Sequence, residues 1–246
     1  MRIKNGFTLA EVLITLGIIG VVAAITIPSL ITQFKRTQMQ TQFKKADSVV
    51  SQAIKSTLYE LEYDKFSDLD VSKDTPDDDL EKIKKEYNDI WAKQFKGATR
   101  FSPCKQFGMN KPMRGFFLEK DGYRNYCWIY GDKDVSNSHP FLLPDGSAVS
   151  EILSITIPGY SGRTVFYIAI DTNGPYAGPN AWGYDVFYIL AENNEKIFGM
   201  LCDPFVKNTA NLHGCYWYAH KNTSAFKGIN YWSTLYRNKS YLEKLK

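Results

Sequence analysis

From Val12 to Phe34 the chain carries no formal charge and is dominated by Val, Ile, Leu and Ala. As a helix rising 1.5 Å per residue, this stretch reaches roughly 35 Å, enough to cross a hydrocarbon core of about 30 Å. The pattern then changes without breaking. Phe43, Ala46, Val50, Ala53 and Thr57 recur at helical spacing, with Lys, Gln, Asp and Ser between them. One apolar stripe on a polar helix predicts an amphipathic continuation to about Glu60. The stripe is too short and too poor in Leu to favour a coiled coil.

Further on, Asp74-Thr75-Pro76-Asp77-Asp78-Asp79 reads as a loop and helix start, leading into a second amphipathic helix over 80–95. Strand-like runs follow at 115–119, 126–130, 148–157, 165–171, 185–191 and 196–202. Pro144-Asp145-Gly146 and Asn193-Asn194 supply turn signals between them. Helices first and consecutive strands after predict an α+β fold with an antiparallel sheet.

Composition changes this picture little. The net charge of +4 is modest for 246 residues, so it gives no support by itself to nucleic-acid binding. Charge is unevenly placed, however. Acidic residues dominate 64–81, as in a solvated face, while basic ones dominate 201–246. The cysteines, Cys104, Cys127, Cys202 and Cys215, include no CxxC pair, which removes the usual zinc-ribbon and thioredoxin patterns. An even number after a membrane-length segment points to disulfides in an oxidising compartment. Spacing does not fix their connectivity; the local pairs Cys104–Cys127 and Cys202–Cys215 are favoured.

The leader is the most informative segment. Met1-Arg2-Ile3-Lys4-Asn5-Gly6 is short and basic, and Glu11 stands alone as a carboxylate at the edge of the apolar run. A charge there is costly in lipid, so it needs a partner or a function. An ordinary secretory signal cleaved near Val22-Ala23 explains neither Glu11 nor the helix that continues past it. Gly6-Phe7-Thr8-Leu9-Ala10-Glu11-Val12-Leu13-Ile14 resembles the prepilin motif of type IV pilins and type II secretion pseudopilins. The resemblance implies cleavage between Gly6 and Phe7 by a prepilin peptidase, and methylation of the new amino group on Phe7. Once surrounded by lipid or other helices Glu11 needs a cation, which a neighbouring subunit's Phe7 amine can supply, so that the pairing guides assembly. Pro28 falls where these pilins commonly carry a proline, and can kink or locally open the helix.

On that resemblance the chain divides into a leader at 1–6, a membrane and filament-core helix at 7–34, its amphipathic second half at 35–62, and a globular pilin-like domain at 63–246. The implied role is a structural, non-enzymatic subunit held as a single pass in the inner membrane. Its domain lies outside the cytoplasm, and it joins other pilin subunits on an assembly platform to form a periplasmic or extracellular filament. The alternative is a minor pilin or a membrane-tethered binding protein, for adhesion or DNA uptake. The charge count alone favours the opposite orientation, since Lys35, Arg36, Lys44 and Lys45 follow the apolar run while only Arg2 and Lys4 precede it.

Two further features suggest binding. Asp171, Asn173 and Asp185, with Gly174-Pro175 and Pro179-Asn180 between them, collect oxygen donors of the kind calcium takes. They resemble the calcium loop of some major pseudopilins, though a turn stabilised by Asn-Gly and Pro accounts for the same residues. Near the C-terminus, Tyr216-Trp217-Tyr218, Phe226, Tyr231-Trp232, Tyr236 and Tyr241 alternate with Lys221, Lys227, Arg237 and Lys239. Such a pattern serves either packing with a basic rim or the stacking of single-stranded nucleic acid. No GxSxG, P-loop or GxGxxG motif occurs, and His139, His213 and His220 lack metal-ligand spacing.

Overall fold

In the computed structural model the described residues are 8–69, 77–102, 112–114, 120–125, 140–156, 164–190, 215–223 and 228–245. The chain divides into two compact units, Met1–Gln38 and Met39–Lys246. Helix α1 spans Leu9–Glu60.

In the first unit, the large side chains of α1 from Leu9 to Phe34 are exposed. This is the one helix among the described residues that is long and apolar enough to cross a membrane. Its hydroxyls suit such a setting. Thr15, Thr26 and Thr32 each donate to the carbonyl one turn back, on Glu11, Val22 and Pro28, at 2.9 Å. No hydroxyl of these three is left seeking water, which lipid cannot supply.

In the second unit, Phe43, Ala46, Val50, Ala53 and Thr57, the stripe read from the sequence, are buried on α1, and Met39 extends it by one turn. Phe43 lies at its centre, with its ring 4.7 Å from that of Phe187 and 5.2 Å from that of Trp232. A short 3-10 turn at Phe66–Leu69 follows, and then helix α2 at Asp77–Lys93.

The strands among the described residues are β1 (Thr99–Arg100), β2 (Pro112–Arg114), β3 (Lys120–Asn125), β4 (Phe141–Leu142), β5 (Ala148–Val149), β6 (Leu153–Thr156), β7 (Thr164–Asp171) and β8 (Val186–Leu190). The main sheet is antiparallel and runs β1-β4-β5-β7-β6, with β8 also on β7; β2 and β3 pair separately. Among the described residues, three short helices follow the sheet: α3 (Cys215–Lys221), α4 (Tyr231–Thr234) and α5 (Lys239–Glu243). The arrangement is α+β, as the sequence predicts.

The expected strand at 148–157 is broken. Val149 pairs with Ile170 and Leu153 with Tyr167, so residues 150–152 face only 168–169 and one residue is in excess. A β-bulge of this kind leaves ladder groups unpaired. Here side chains take them up. Ser150 Oγ accepts the N–H of Ala169 at 2.8 Å, while α2 supplies Trp91 Nε1 to the Ser150 carbonyl and Asn88 Oδ1 to the Ile152 N–H. The expected strands at 165–171 and 185–191 correspond to β7 and β8, and Gly146 turns the chain between β4 and β5, donating to Leu143 O at 2.9 Å. The expected strands at 115–119, 126–130 and 196–202 and the turn at Asn193-Asn194 lie outside the described residues.

Candidate functional site

At the start of α1, Thr8 and Glu11 satisfy each other. Glu11 Oε2 accepts both the backbone N–H and the hydroxyl of Thr8 at 2.8 Å, and Thr8 Oγ1 accepts the N–H of Glu11 at 3.2 Å. This is a capping box, in which an N-cap hydroxyl and a glutamate three residues on fill each other's orphan donors. Thr8-Leu9-Ala10-Glu11 carries its S/T-x-x-E signature, so Glu11 is not the lone carboxylate that the apolar run around it suggests. A carboxylate in the first turn also opposes the positive end of the helix dipole. Pro28 sits inside α1, which continues as helix through it. Gly6 and Phe7 lie outside the described residues.

Residues 1–27 match the family described as the prokaryotic N-terminal methylation motif. The chain therefore carries the signal motif of type IV pilins and pseudopilins, joined directly to an exposed apolar helix of membrane length. That combination supports a pilin-like or pseudopilin precursor anchored in a membrane, of the class that meets a prepilin peptidase and other pilin subunits. No curated protein and no solved structure matches the chain.

The second candidate site is the loop between β7 and β8. Asp171 ends β7 and Asp185 immediately precedes β8, and both are fully buried. Each carboxylate closes its own turn. Asp171 Oδ1 accepts from Gly174 N at 2.8 Å and from Asn173 N at 3.3 Å; Asp185 takes Ala181 N at 2.7 Å and Asn180 N at 2.8 Å. Burial, and then the charge of Asp171, push the Asp185 carboxyl well above the usual carboxylate range. Three oxygens in the same loop, Thr172 Oγ1, Asn173 Oδ1 and Asn180 Oδ1, are buried without a hydrogen-bond partner.

Its surroundings are rigid. Gly174 lies at φ 78°, so close to the next turn that a Cβ there would meet the Gly146 carbonyl oxygen at 1.7 Å. Arg114 of β2 donates to Asn180 O and accepts from Trp182 N, both at 3.0 Å. The hydroxyl of Tyr231, in α4, donates to the carbonyl of Gly183 at 2.6 Å. Lys45 of α1 pairs with Asp145, the residue before Gly146, at 2.9 Å.

This donor set fits calcium. Two carboxylates with amide and hydroxyl oxygens are hard ligands, whereas zinc takes nitrogen and sulfur. Among the described residues no three His, Cys, Asp or Glu side chains gather as a metal site.

The remaining predicted sites divide. Cys215 is fully buried at the start of α3 and is disulfide-bonded. Cys104, Cys127 and Cys202 lie outside the described residues, so the identity of its partner does too. Of the C-terminal aromatics, Tyr231 and Trp232 are core residues and Tyr216 is half-buried with its hydroxyl on Asp47 of α1. Tyr241 is exposed, beneath the Arg237 guanidinium at 4.4 Å. For Tyr216, Tyr231 and Trp232, packing explains the alternation with cations better than base stacking does.

Proposed function

We propose that this chain is a structural subunit of a type IV pilus or type II secretion pseudopilus, cleaved after Gly6 and assembled through α1. One observation carries the reading: the methylation motif leads into a helix whose apolar side chains are left exposed as far as Phe34. Apolar surface on that scale needs lipid or other helices around it. A bulk filament subunit and a minor pilin or tethered binding protein share these features; abundance in sheared filaments separates them. The globular unit would stand outside the cytoplasm, where Cys202–Cys215 and Cys104–Cys127 would form. Calcium in the 171–185 loop belongs to the same reading, supported by the buried carboxylate pair and the orphaned oxygens beside it. When bound, the ion would cancel the repulsion between Asp171 and Asp185 and tie the start of the loop to its end.

Glu11 has two roles to distinguish, and two substitutions do so. Glu11→Gln keeps an acceptor for the capping box and removes the charge, whereas Glu11→Ala removes both. If Glu11 pairs with a neighbour's amino terminus, both variants insert in the membrane but neither enters sheared filaments. Filament yield at the wild-type level for Glu11→Gln would restrict Glu11 to capping its own helix.

A further inference from the structure

Within the globular unit, α1 buries one side and turns the other outward. Opposite the buried stripe stand Lys44, Ser48, Gln52, Lys55 and Tyr59, all of them exposed. Tyr59 is 85% exposed. Among the described residues no ion pair involves Lys44 or Lys55. Between Met39 and Tyr59 the helix carries one carboxylate, Asp47, and α3 occupies it: one oxygen accepts the Tyr216 hydroxyl and the other meets His220 Nδ1 at 3.0 Å. The outward face is therefore cationic, with an exposed phenol near its end.

At the end of α1 the charge reverses. Glu60, Glu62, Asp64 and Asp68 are exposed, and Lys65 is the one cation among them. Glu62 turns the chain out of the helix at φ 58°, and no ion pair among the described residues involves Glu62 or Asp64. At 1.5 Å per residue, Lys55 and Lys44 lie about 8 and 24 Å along the axis from Glu60. Two copies related by a two-fold axis through the outward face would set lysine against lysine, which repels. Sliding one copy along the helix of the other sets lysines against carboxylates instead. Such a head-to-tail contact leaves one cationic face and one acidic end free, so it can repeat along a filament. A solvated helix face is the competing account. It gives no reason for sorting the charges by sign, and tyrosine is a residue type enriched at interfaces.

We propose that the outward face of α1, through Lys44, Lys55 and Tyr59, docks a second copy of this chain by receiving its acidic turn at Glu62 and Asp64. The inference rests on the filament reading and adds to it a polar contact between globular units, separate from the apolar packing before Phe34. Its effect is register. Opposite charges at fixed positions favour one offset between copies, and like charges brought together penalise the others. Tyr59, next to the acidic turn and on the lysine face, supplies the apolar contact that excludes water from the pairs.

A single exposed ion pair contributes little, so the test reverses charges in pairs in the full chain. One variant carries Lys44→Glu and Lys55→Glu, a second Glu62→Lys and Asp64→Lys, and a third all four. Copies in the native membrane are joined with a carbodiimide, which links amines directly to carboxylates, and filaments are sheared and quantified. Wild type should give cross-linked multimers and filaments. Each reversal alone should lower both by about ten-fold or more, and the combined variant should recover to within about three-fold of wild type. All variants should melt as wild type does in detergent, since the four side chains are exposed and in no ion pair among the described residues. Unchanged multimers and filaments in both single reversals would overturn the docking surface and leave the filament reading standing. Losses that the combined variant fails to recover would overturn the pairing as well. Multimers that follow the charge pattern in a chain that sheds no filament would uphold the surface and bring down the filament reading.

Discussion

The indole N–H of Trp91, on α2, reaches the carbonyl of Ser150, in the bulge of the sheet, at 3.0 Å. Trp91 is fully buried, and among the described residues no backbone N–H reaches that carbonyl at the bulge. Replacing Trp91 with Phe removes the donor and leaves a small cavity. The orphaned carbonyl costs about 1–3 kcal/mol and the lost volume roughly 1 more. Trp91→Phe should therefore destabilise the globular unit by about 2–4 kcal/mol in urea unfolding with an unchanged m value. A loss below about 0.5 kcal/mol, the size of an ordinary surface change, would show that α2 does not hold the bulge.

Gly174 and Gly146 both have positive φ, at 78° and 89°, but only Gly174 meets a neighbour. An added methyl at 146 finds open space and costs only the left-handed backbone, about 1–2 kcal/mol. At 174 it would overlap the Gly146 carbonyl, so loop or turn must move, and about 3 kcal/mol or more should be lost. Gly174→Ala should thus unfold at markedly lower denaturant than Gly146→Ala. Equal midpoints would mean that the two turns do not interlock.

Tyr87, Tyr216 and Tyr231 have phenols pushed above the ordinary tyrosine range, each chiefly by burial, with the Asp47 carboxylate adding to the effect on Tyr216. A group whose pKa is raised by folding stabilises the fold below its unfolded value, and that contribution is lost as pH rises through the folded value. For tyrosine the unfolded value is near 10. Stability should hold up to about pH 10 and fall above it, and phenolate absorbance from these residues should rise together with unfolding. Full phenolate absorbance at high pH in a chain that keeps its native circular dichroism would contradict this.

The stripe Phe43, Ala46, Val50, Ala53 and Thr57 was legible because helical periodicity is a local signal that burial then obeys. Strands β7 and β8 were legible as apolar runs. The bulge at 150–152 was not, since its extra residue is stabilised by Asn88 and Trp91, far away in sequence. Strand β3 was missed because its Asp121-Gly122 reads as a turn, and β1 and β4 are too short to show alternation. At the N-terminus the motif is plain in the sequence, and so is the cap, since Thr8 stands three residues before Glu11 in the S/T-x-x-E spacing. In the 171–185 loop the aspartates and Asn173 were readable. The orphaned oxygens of Thr172 and Asn180 emerge only once the chain folds around them.

The mature N-terminus tests the central claim most directly. Intact and peptide mass spectrometry of the protein taken from its native membrane should find a chain that begins at Phe7, methylated on its amino group, with the first six residues gone. A chain that retains Met1, or one that begins near Ala24 as after an ordinary secretory signal, would contradict the assignment.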